Sequence, residues 1–235
     1  MDVGTELTSR LGAATPGLHP SALTTAVIAA LAVVLIPTVW LQLRIAVTLV
    51  HELGHAIVGT AFGRRFSGFV VRGDMSGHAV TVGPARGVGR IATTWAGYPM
   101  PALVGLLMIW SATTGYAAAL LFACLVTLVV VLVFVRSAGT LITVAAAGAG
   151  IGALWWWRHD EVQALAVLTT GFVLLIGAWR HLGALTSSHG RRDRGSDAAV
   201  LRQLTGIPAA LWIGTFVAVL GAATWGATRL VLDLA

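Results

Sequence analysis

Two histidines and a glutamate in one short segment are the residues of this chain best suited to chemistry. His51 and His55 lie four positions apart, and Glu52 directly follows the first, in the pattern His-Glu-x-x-His. On a helix, residues four apart share one face, so both imidazoles can bind a single zinc ion. The neighbouring carboxylate can then take a proton from a zinc-bound water. The spacing therefore predicts a zinc site in which Glu52 is the general base.

A catalytic zinc ion needs a third protein ligand, which has to come from another part of the chain. Asp197 is favoured because Ser196-Asp197 is typical of a helix start, and a helix fixes a side chain better than a loop does. The same aspartate can equally be a simple helix N-cap. The other candidates are the histidines and acids outside the motif, namely Asp74, His78, His159, Asp160, Glu161, His181, His189 and Asp193.

The motif lies in one of several long apolar segments. The chain has 235 residues, of which 57% are hydrophobic and 10% charged, and its mean hydropathy is +0.87. A soluble domain carries about 25% charged residues, so the composition excludes one and indicates a polytopic membrane protein. We expect an all-α fold of seven transmembrane helices, or six if the connection at Pro37 to Arg44 is not a true turn. The predicted helices are Ala22–Trp40, Leu41–Gly63, Thr94–Ser111, Ala117–Val135, Gly139–Trp157, Val162–Arg180 and Ile207–Leu232.

One segment between these helices has a strand pattern. Within Phe66–Val82, two short β-branched or aromatic stretches, at 69–71 and 79–82, flank a group of turn residues. This pattern predicts a small β-hairpin directly after the helix that carries His51.

The distribution of arginine predicts the orientation in the membrane. All 15 basic side chains are arginine, and seven spans would place twelve of them on one side and three on the other. Basic residues favour the cytoplasmic side, so we expect the N-terminal segment 1–20, the hairpin-containing loop 64–93 and the loop 184–198 to be cytoplasmic. Residues 1–235 then form a single membrane-embedded domain.

The remaining composition argues against two other kinds of site. The formal net charge of +6 is explained by cytoplasmic arginines, so nucleic-acid binding is not expected. Cys124 is the single cysteine of the chain, which excludes an intramolecular disulfide and a thiolate metal site.

Three segments together resemble the membrane-embedded zinc proteases of the site-2 protease type, and within them a bacterial group common in actinobacteria. The segment 51–55 (HELGH) matches the family's zinc motif. The segment 96–102 (AGYPMPA) is similar to its Gly-Pro segment, and 196–208 is similar to the later segment that bears an aspartate ligand. Two features depart from better-studied members: the chain has no asparagine after the Gly-Pro segment, and Ala198 stands where a glycine follows the aspartate.

The resemblance implies an intramembrane zinc metalloprotease in a bacterial plasma membrane. It implies one zinc ion per chain, held by His51, His55 and Asp197, with Glu52 as catalytic base. Its substrate would be a membrane protein or the remnant of a signal peptide. A helical substrate has to unwind before it can be cleaved, and the hairpin could receive it by strand addition.

Other interpretations of the same residues stay open. The missing asparagine favours a non-catalytic membrane scaffold or regulator that retains the fold. Without a metal, the three motif side chains would form a polar cluster between helices. A transporter is disfavoured, because the apolar segments outside the motif hold few ionisable groups that could line a pathway.

Overall fold

The computed structural model describes residues 3–14, 20–71, 77–135, 138–157, 159–187 and 194–233. Most of this part is helical, which confirms the predicted all-α membrane class with a small β-hairpin. In the described ranges the elements are, in chain order, α1 (Val3–Leu11), α2 (Pro20–Leu35), α3 (Pro37–Ala61), β1 (Arg65–Val71), β2 (Gly77–Val82), α4 (Val88–Trp95), α5 (Pro99–Thr113), α6 (Ala117–Val133), α7 (Ala138–Trp156), α8 (Asp160–Thr186), α9 (Asp197–Thr205) and α10 (Ala209–Leu232).

Three of these helices, α7, α8 and α10, are each long and apolar enough to cross a membrane. Two further pairs, α2 with α3 and α4 with α5, combine the required length and apolar character only together, and they are bent by 101° and 59°. The described residues therefore contain three to five candidate spans. The apolar α6 has 17 residues, at the lower limit of about 17 for a spanning helix. If α6 and each bent pair are counted as one span each, the total is six, the lower of the two predicted numbers.

The break between α2 and α3 lies at Pro37. Proline has no backbone N–H and disfavours the helical conformation in the residue before it, and Ile36 accordingly has φ −76° and ψ 114°. Arg180 of α8 lies at this break, where its guanidinium donates to the carbonyl oxygen of Val34 and lies 4.8 Å from the centre of the Trp40 ring. The bend turns α3 away from the direction of α2 and towards the end of α8.

The packing of α5 against α8 forms the centre of the helix bundle. Gly105 and Gly171 approach so closely that a Cβ on Gly105 would lie 2.7 Å from the carbonyl oxygen of Gly171. Small residues permit such close contact between membrane helices. Ile109 and Leu168 are fully buried in the same core, and α2 and α10 pack onto α8 and α5 respectively.

The predicted hairpin is confirmed. β1 and β2 are antiparallel, with Arg65 opposite Val82 and Phe69 opposite Ala79. A bulge interrupts the register between Phe66 and Gly68. The predicted turn residues 72–76 lie outside the described part of the chain. β2 packs beside α3, so the hairpin is held next to the motif helix.

The N-terminal helix packs at the end of the bundle opposite the motif. Arg10 donates to the carbonyl oxygen of Trp155, and the N–H of Ala14 donates to the carbonyl oxygen of Gly115. These contacts place α1 beside the start of α8, whereas the motif helix contacts the other end of α8 around His181. Since α8 has 27 residues and is about 40 Å long, α1 and the motif lie at opposite ends of the bundle. This arrangement gives no support to a cytoplasmic side shared by the N-terminus and the two long loops, which stays a prediction.

Candidate metal centre

The motif residues lie on the face of α3 that points into the protein. His51 and Glu52 are buried, with 9% and 7% of their surface exposed, and His55 is partly buried. Gly54 permits the close approach of the turn before α5, since a Cβ there would lie 2.8 Å from the carbonyl oxygen of Ala96. Ionisable side chains are costly among apolar helices, so the side chains of His51, Glu52 and His55 need polar or charged partners.

Asp197 joins the two histidines from the first turn of α9. The Nε2 atoms of His51 and His55 are 3.1 Å apart, and the Oδ2 atom of Asp197 lies 3.3 Å from the first and 3.4 Å from the second. Three ligand atoms at about 2.0–2.1 Å from a tetrahedral zinc ion lie about 3.3–3.4 Å from each other. The three atoms, which we call the ligand triangle, therefore have the dimensions that zinc coordination requires.

The surrounding hydrogen bonds leave acceptor atoms at the ligand triangle. Nδ1 of His55 lies 2.7 Å from the carbonyl oxygen of Thr93, which can only accept, so Nδ1 carries the proton and Nε2 of the neutral ring offers a lone pair. Oδ2 of Asp197 is buried and has no hydrogen-bond partner among the described residues. Oδ2 of Asp197 and Nε2 of His55, 3.4 Å apart, are thus both acceptors, and a cation bound between them would be favourable. These residues therefore fit a zinc ion.

Asp197 is not the N-cap of its helix. Ser196 takes that position, and Asp197 is the first residue of α9. Burial by itself would raise the pKa of Asp197, but its interactions with the imidazoles of His51, His55 and His181 hold the pKa below its usual value. The positive end of the helix dipole also favours the anion. The side chain is thus a carboxylate at neutral pH, the form that binds a metal.

Gly97 closes one side of the ligand triangle with backbone alone. A Cβ at this position would lie 2.6 Å from the Nε2 atoms of both His51 and His55, about where a shared ion would be. Since even the smallest side chain would collide with the imidazoles, the glycine keeps this space open. This gives a physical reason for a glycine in the turn before Pro99.

Glu52 lies beside the ligand triangle and contacts the hairpin. Its carboxylate oxygen is within 4.8 Å of the ligand nitrogens of both motif histidines. The other contact is a hydrogen bond of 2.6 Å that Oε2 accepts from the backbone N–H of Ala79 in β2. Glu52 therefore connects the candidate metal site to the edge of a strand.

A cavity of about 430 Å³ opens onto these side chains. Ala79 and Thr81 of β2 line one wall, and the end of α8 with the start of α9 lines another. His181 borders the cavity as well, with its ring nearly parallel to that of His51 at 5.2 Å between ring centres. The cavity therefore reaches the candidate metal ligands directly.

The structure separates the other residues considered as a third ligand. His181 lies at the site, in contact with His51 but outside the ligand triangle. His159, Asp160 and Glu161 lie at the opposite end of α8. Asp74, His189, Asp193 and the side chain of His78 lie outside the described part of the chain.

Three residues that shape the site were not identified as site residues from the sequence. Thr93 orients His55 through its carbonyl oxygen, and the Ala79 N–H binds Glu52. The type of a residue gives no sign of such backbone contacts. Gly97 could have been found from its place in the Gly-Pro segment.

Comparison with known proteins identifies the family. A model of the family described as Peptidase M50B-like matches residues 24–227, which is most of the chain and includes all four predicted site residues. No curated protein and no solved structure matches the chain. The chain therefore belongs to the Peptidase M50B-like family, a site-2 protease-type family of membrane metallopeptidases.

Proposed function

We propose that this member of the Peptidase M50B-like family is an intramembrane zinc endopeptidase. The observation that carries the proposal is the ligand triangle of His51, His55 and Asp197, which has the dimensions and the lone pairs that one zinc ion requires. When bound there, zinc would lower the pKa of a water molecule and polarise the scissile carbonyl group.

Glu52 is the proposed general base. Its carboxylate lies next to the ligand triangle and inside the cavity, so it can accept a proton from the attacking water and return it to the leaving amine. Thr93 holds His55 in the orientation that directs Nε2 to the metal. Gly97 keeps the approach to the site free of side chains.

The proposed substrate is a membrane-embedded chain that binds as an extended strand. Helical peptide bonds are shielded by their own hydrogen bonds, and strand addition at β2 would hold an unwound segment beside Glu52. The cavity wall formed by Ala79 and Thr81 supports this arrangement. Val70 pairs with His78 in the hairpin. If Val70→Pro left both zinc content and cleavage unchanged, the hairpin would have no such role.

We further propose that the end of the bundle with the site faces the cytoplasm. Arg64, Arg65, Arg86 and Arg90 all lie between α3 and the start of α5 at this end, and cytoplasmic segments are rich in arginine. Because α1 contacts the opposite end of the bundle, the N-terminus would then lie on the other side of the membrane.

The second candidate is a non-catalytic scaffold or regulator. The contact between Glu52 and the Ala79 N–H favours it, because a carboxylate held by a strand is not free to act on water. The missing asparagine also favours the scaffold.

The experiment that separates the two candidates measures metal content and cleavage on the same purified variants. We expect about one zinc ion per chain in the wild type and in Glu52→Gln, and loss of zinc in His51→Ala and Asp197→Ala. Fluorescently labelled casein, an unfolded protein, serves as the cleavage probe. The wild type should cleave it and Glu52→Gln should not. If the wild type binds zinc but neither it nor Glu52→Gln cleaves casein, the result supports the scaffold. A wild type that holds no zinc under metal-replete conditions excludes the protease.

A further inference from the structure

Arg64 is buried although it carries a charge. Only 5% of its surface is exposed, whereas its neighbour Arg65 and the nearby Arg86 are exposed. Removing a guanidinium from water is costly unless hydrogen bonds replace the lost hydration. We therefore expect the buried Arg64 to have a structural role that an exposed arginine would not have.

The contacts of Arg64 are with the end of strand β2. Nε donates to the Oγ1 atom of Thr81 at 3.3 Å, and Nη2 donates to the carbonyl oxygen of the same residue at 3.3 Å. Nη1 donates to the carbonyl oxygen of Pro84 at 2.7 Å. The planar guanidinium can reach three acceptors around a bending backbone, which the single ammonium group of lysine cannot do. The side chain therefore fixes both the strand and the chain that leaves it.

Arg64 is also fixed to the motif helix. Its backbone N–H donates to the carbonyl oxygen of Gly59 at 2.9 Å, directly after the end of α3. Strand β2 is thus attached to α3 at two points: Glu52 holds the Ala79 N–H, and Arg64 holds Thr81.

Only one of the two attachments, the one through Glu52, has to break during the proposed reaction. A general base has to turn its carboxylate towards water, so Glu52 has to give up the Ala79 N–H during the reaction. An incoming substrate strand would use backbone groups on that same edge. The attachment at Arg64 lies outside the ligand triangle and involves no group that the reaction consumes.

We propose that Arg64 is a positioning residue that keeps the edge of β2 at a fixed place beside α3 when Glu52 releases Ala79 and a substrate strand binds. The inference rests on the proposed protease function, because it concerns the strand that would receive the substrate. The inference predicts that Arg64 affects substrate binding but does not affect zinc binding.

The test compares Arg64→Met and Arg64→Lys with Arg65→Met as the matched control. Arg65 is the adjacent residue of the same type, but it is exposed. For each detergent-purified variant, zinc per chain is measured together with kcat and KM on labelled casein. We expect about one zinc ion per chain in all of them. In Arg64→Met, KM should rise about tenfold while kcat stays within about threefold, since the lost hydrogen bonds act on binding. Arg64→Lys should be intermediate and Arg65→Met should match the wild type.

Several outcomes would overturn the inference. A fall in kcat at constant KM, or an equal effect of Arg65→Met, would show that Arg64 does not act through strand placement. If Arg64→Met does not fold, Arg64→Lys decides, and a wild-type KM in that variant contradicts the proposal.

A second readout distinguishes failure of this inference from failure of the protease proposal. Amide hydrogen exchange of residues 79–82 is compared between Glu52→Gln/Arg64→Met and Glu52→Gln/Arg65→Met, both of which lack the catalytic base. We expect exchange to be about tenfold faster in the first, because both attachments are then weakened. Equal exchange overturns the anchoring role whether or not the wild type cleaves casein. If exchange is faster in Glu52→Gln/Arg64→Met but the zinc-bound wild type does not cleave casein, the anchoring role of Arg64 is supported and the protease function is not.

Discussion

The two ends of the helix bundle both bury polar side chains, but they satisfy them differently. At the end around α1, Arg10 and Gln163 donate to carbonyl oxygens at the end of α7, and Gln163 is only 2% exposed. Among the described residues, Trp155 Nε1 and Gln163 Oε1 have no hydrogen-bond partner there, and this donor and this acceptor lie beside a cavity of about 70 Å³. A single water molecule can satisfy such a pair.

At the other end, Oδ2 of Asp197 has no hydrogen-bond partner among the described residues and lies 3.3–3.4 Å from two imidazole nitrogens. A carboxylate and two imidazole nitrogens can hold one cation together, whereas a water molecule offers them only two protons. The number of unpartnered atoms therefore says less about function than their kind and direction. Mixed donors and acceptors indicate structural polarity, and converging acceptors indicate a metal site.

The strongest test of this contrast is Gly97→Ala. The added Cβ would lie 2.5–2.6 Å from atoms of both imidazoles, so it should displace them or occupy the space of the ion. We expect zinc to fall from about one per chain to nearly none, and casein cleavage to disappear with it. Gly150→Ala is the control, because a Cβ at Gly150 meets nothing within 4 Å. Full zinc content in Gly97→Ala would show that the ion does not bind at this triangle.

Gln163→Leu tests the opposite end and should affect stability alone. The substitution removes the buried donor of the Leu154 carbonyl oxygen and leaves Arg10 as donor to that of Trp155, at an expected cost of about 2 kcal/mol in the free energy of unfolding. Denaturant titration in mixed micelles measures this cost. The exposed Gln42→Leu serves as control, and zinc content should stay unchanged in both. Loss of zinc in Gln163→Leu would mean that the two ends are coupled.

A smaller effect is expected for Arg10→Met. The guanidinium lies 4.5 Å from the centre of the Trp155 ring and donates to its backbone oxygen at 3.2 Å. Loss of both contacts should lower the free energy of unfolding by about 1 kcal/mol. The same denaturant titration applies, and Arg229→Met is the control at another tryptophan. An unchanged stability would show that α1 is only loosely held at this end.

The last prediction concerns the membrane side and should change neither stability nor metal content. In a Cys124→Ser background, single cysteines replace the exposed residues Thr8 and Arg86. A membrane-impermeant maleimide added to intact cells should label the cysteine at position 8 and not the one at position 86. Labelling of both or of neither would contradict the placement of α1 and the site at opposite ends of one membrane-spanning bundle.

The sequence was sufficient for the features that depend on residue type and spacing. The His51 to His55 spacing predicted a shared helical face, and the β-branched stretch at 79–82 predicted a strand. The apolar segments predicted α6, α7 and α10 within about two residues of their observed bounds. By contrast, α2 ends five residues earlier and α8 six residues later than predicted, and the predicted helix 94–111 is divided into the end of α4 and α5. The correct predictions follow from local composition and spacing, which the sequence contains.

The parts that could not be predicted depend on long-range geometry. Pro37 signals a break, but its 101° angle depends on Arg180 and the packing of α8. Without that angle, α2 and α3 count as two spans, and this count decides the side of the membrane that is assigned to the N-terminus. Asp197 was one of several candidates until its distance from His51 was known, because no local pattern reports which distant carboxylate meets a histidine.

The assembly of the ligand triangle from distant parts of the chain has a consequence for biosynthesis. His51 and His55 emerge from the ribosome early, whereas Asp197 and the Arg180 that holds the bend before α3 come from the last third of the chain. A nascent chain that has inserted only its first helices therefore lacks both the third ligand and the support for the motif helix. The proposed peptidase would therefore stay inactive towards neighbouring membrane proteins until Asp197 has been synthesised and inserted, so the order of the sequence itself would delay activity.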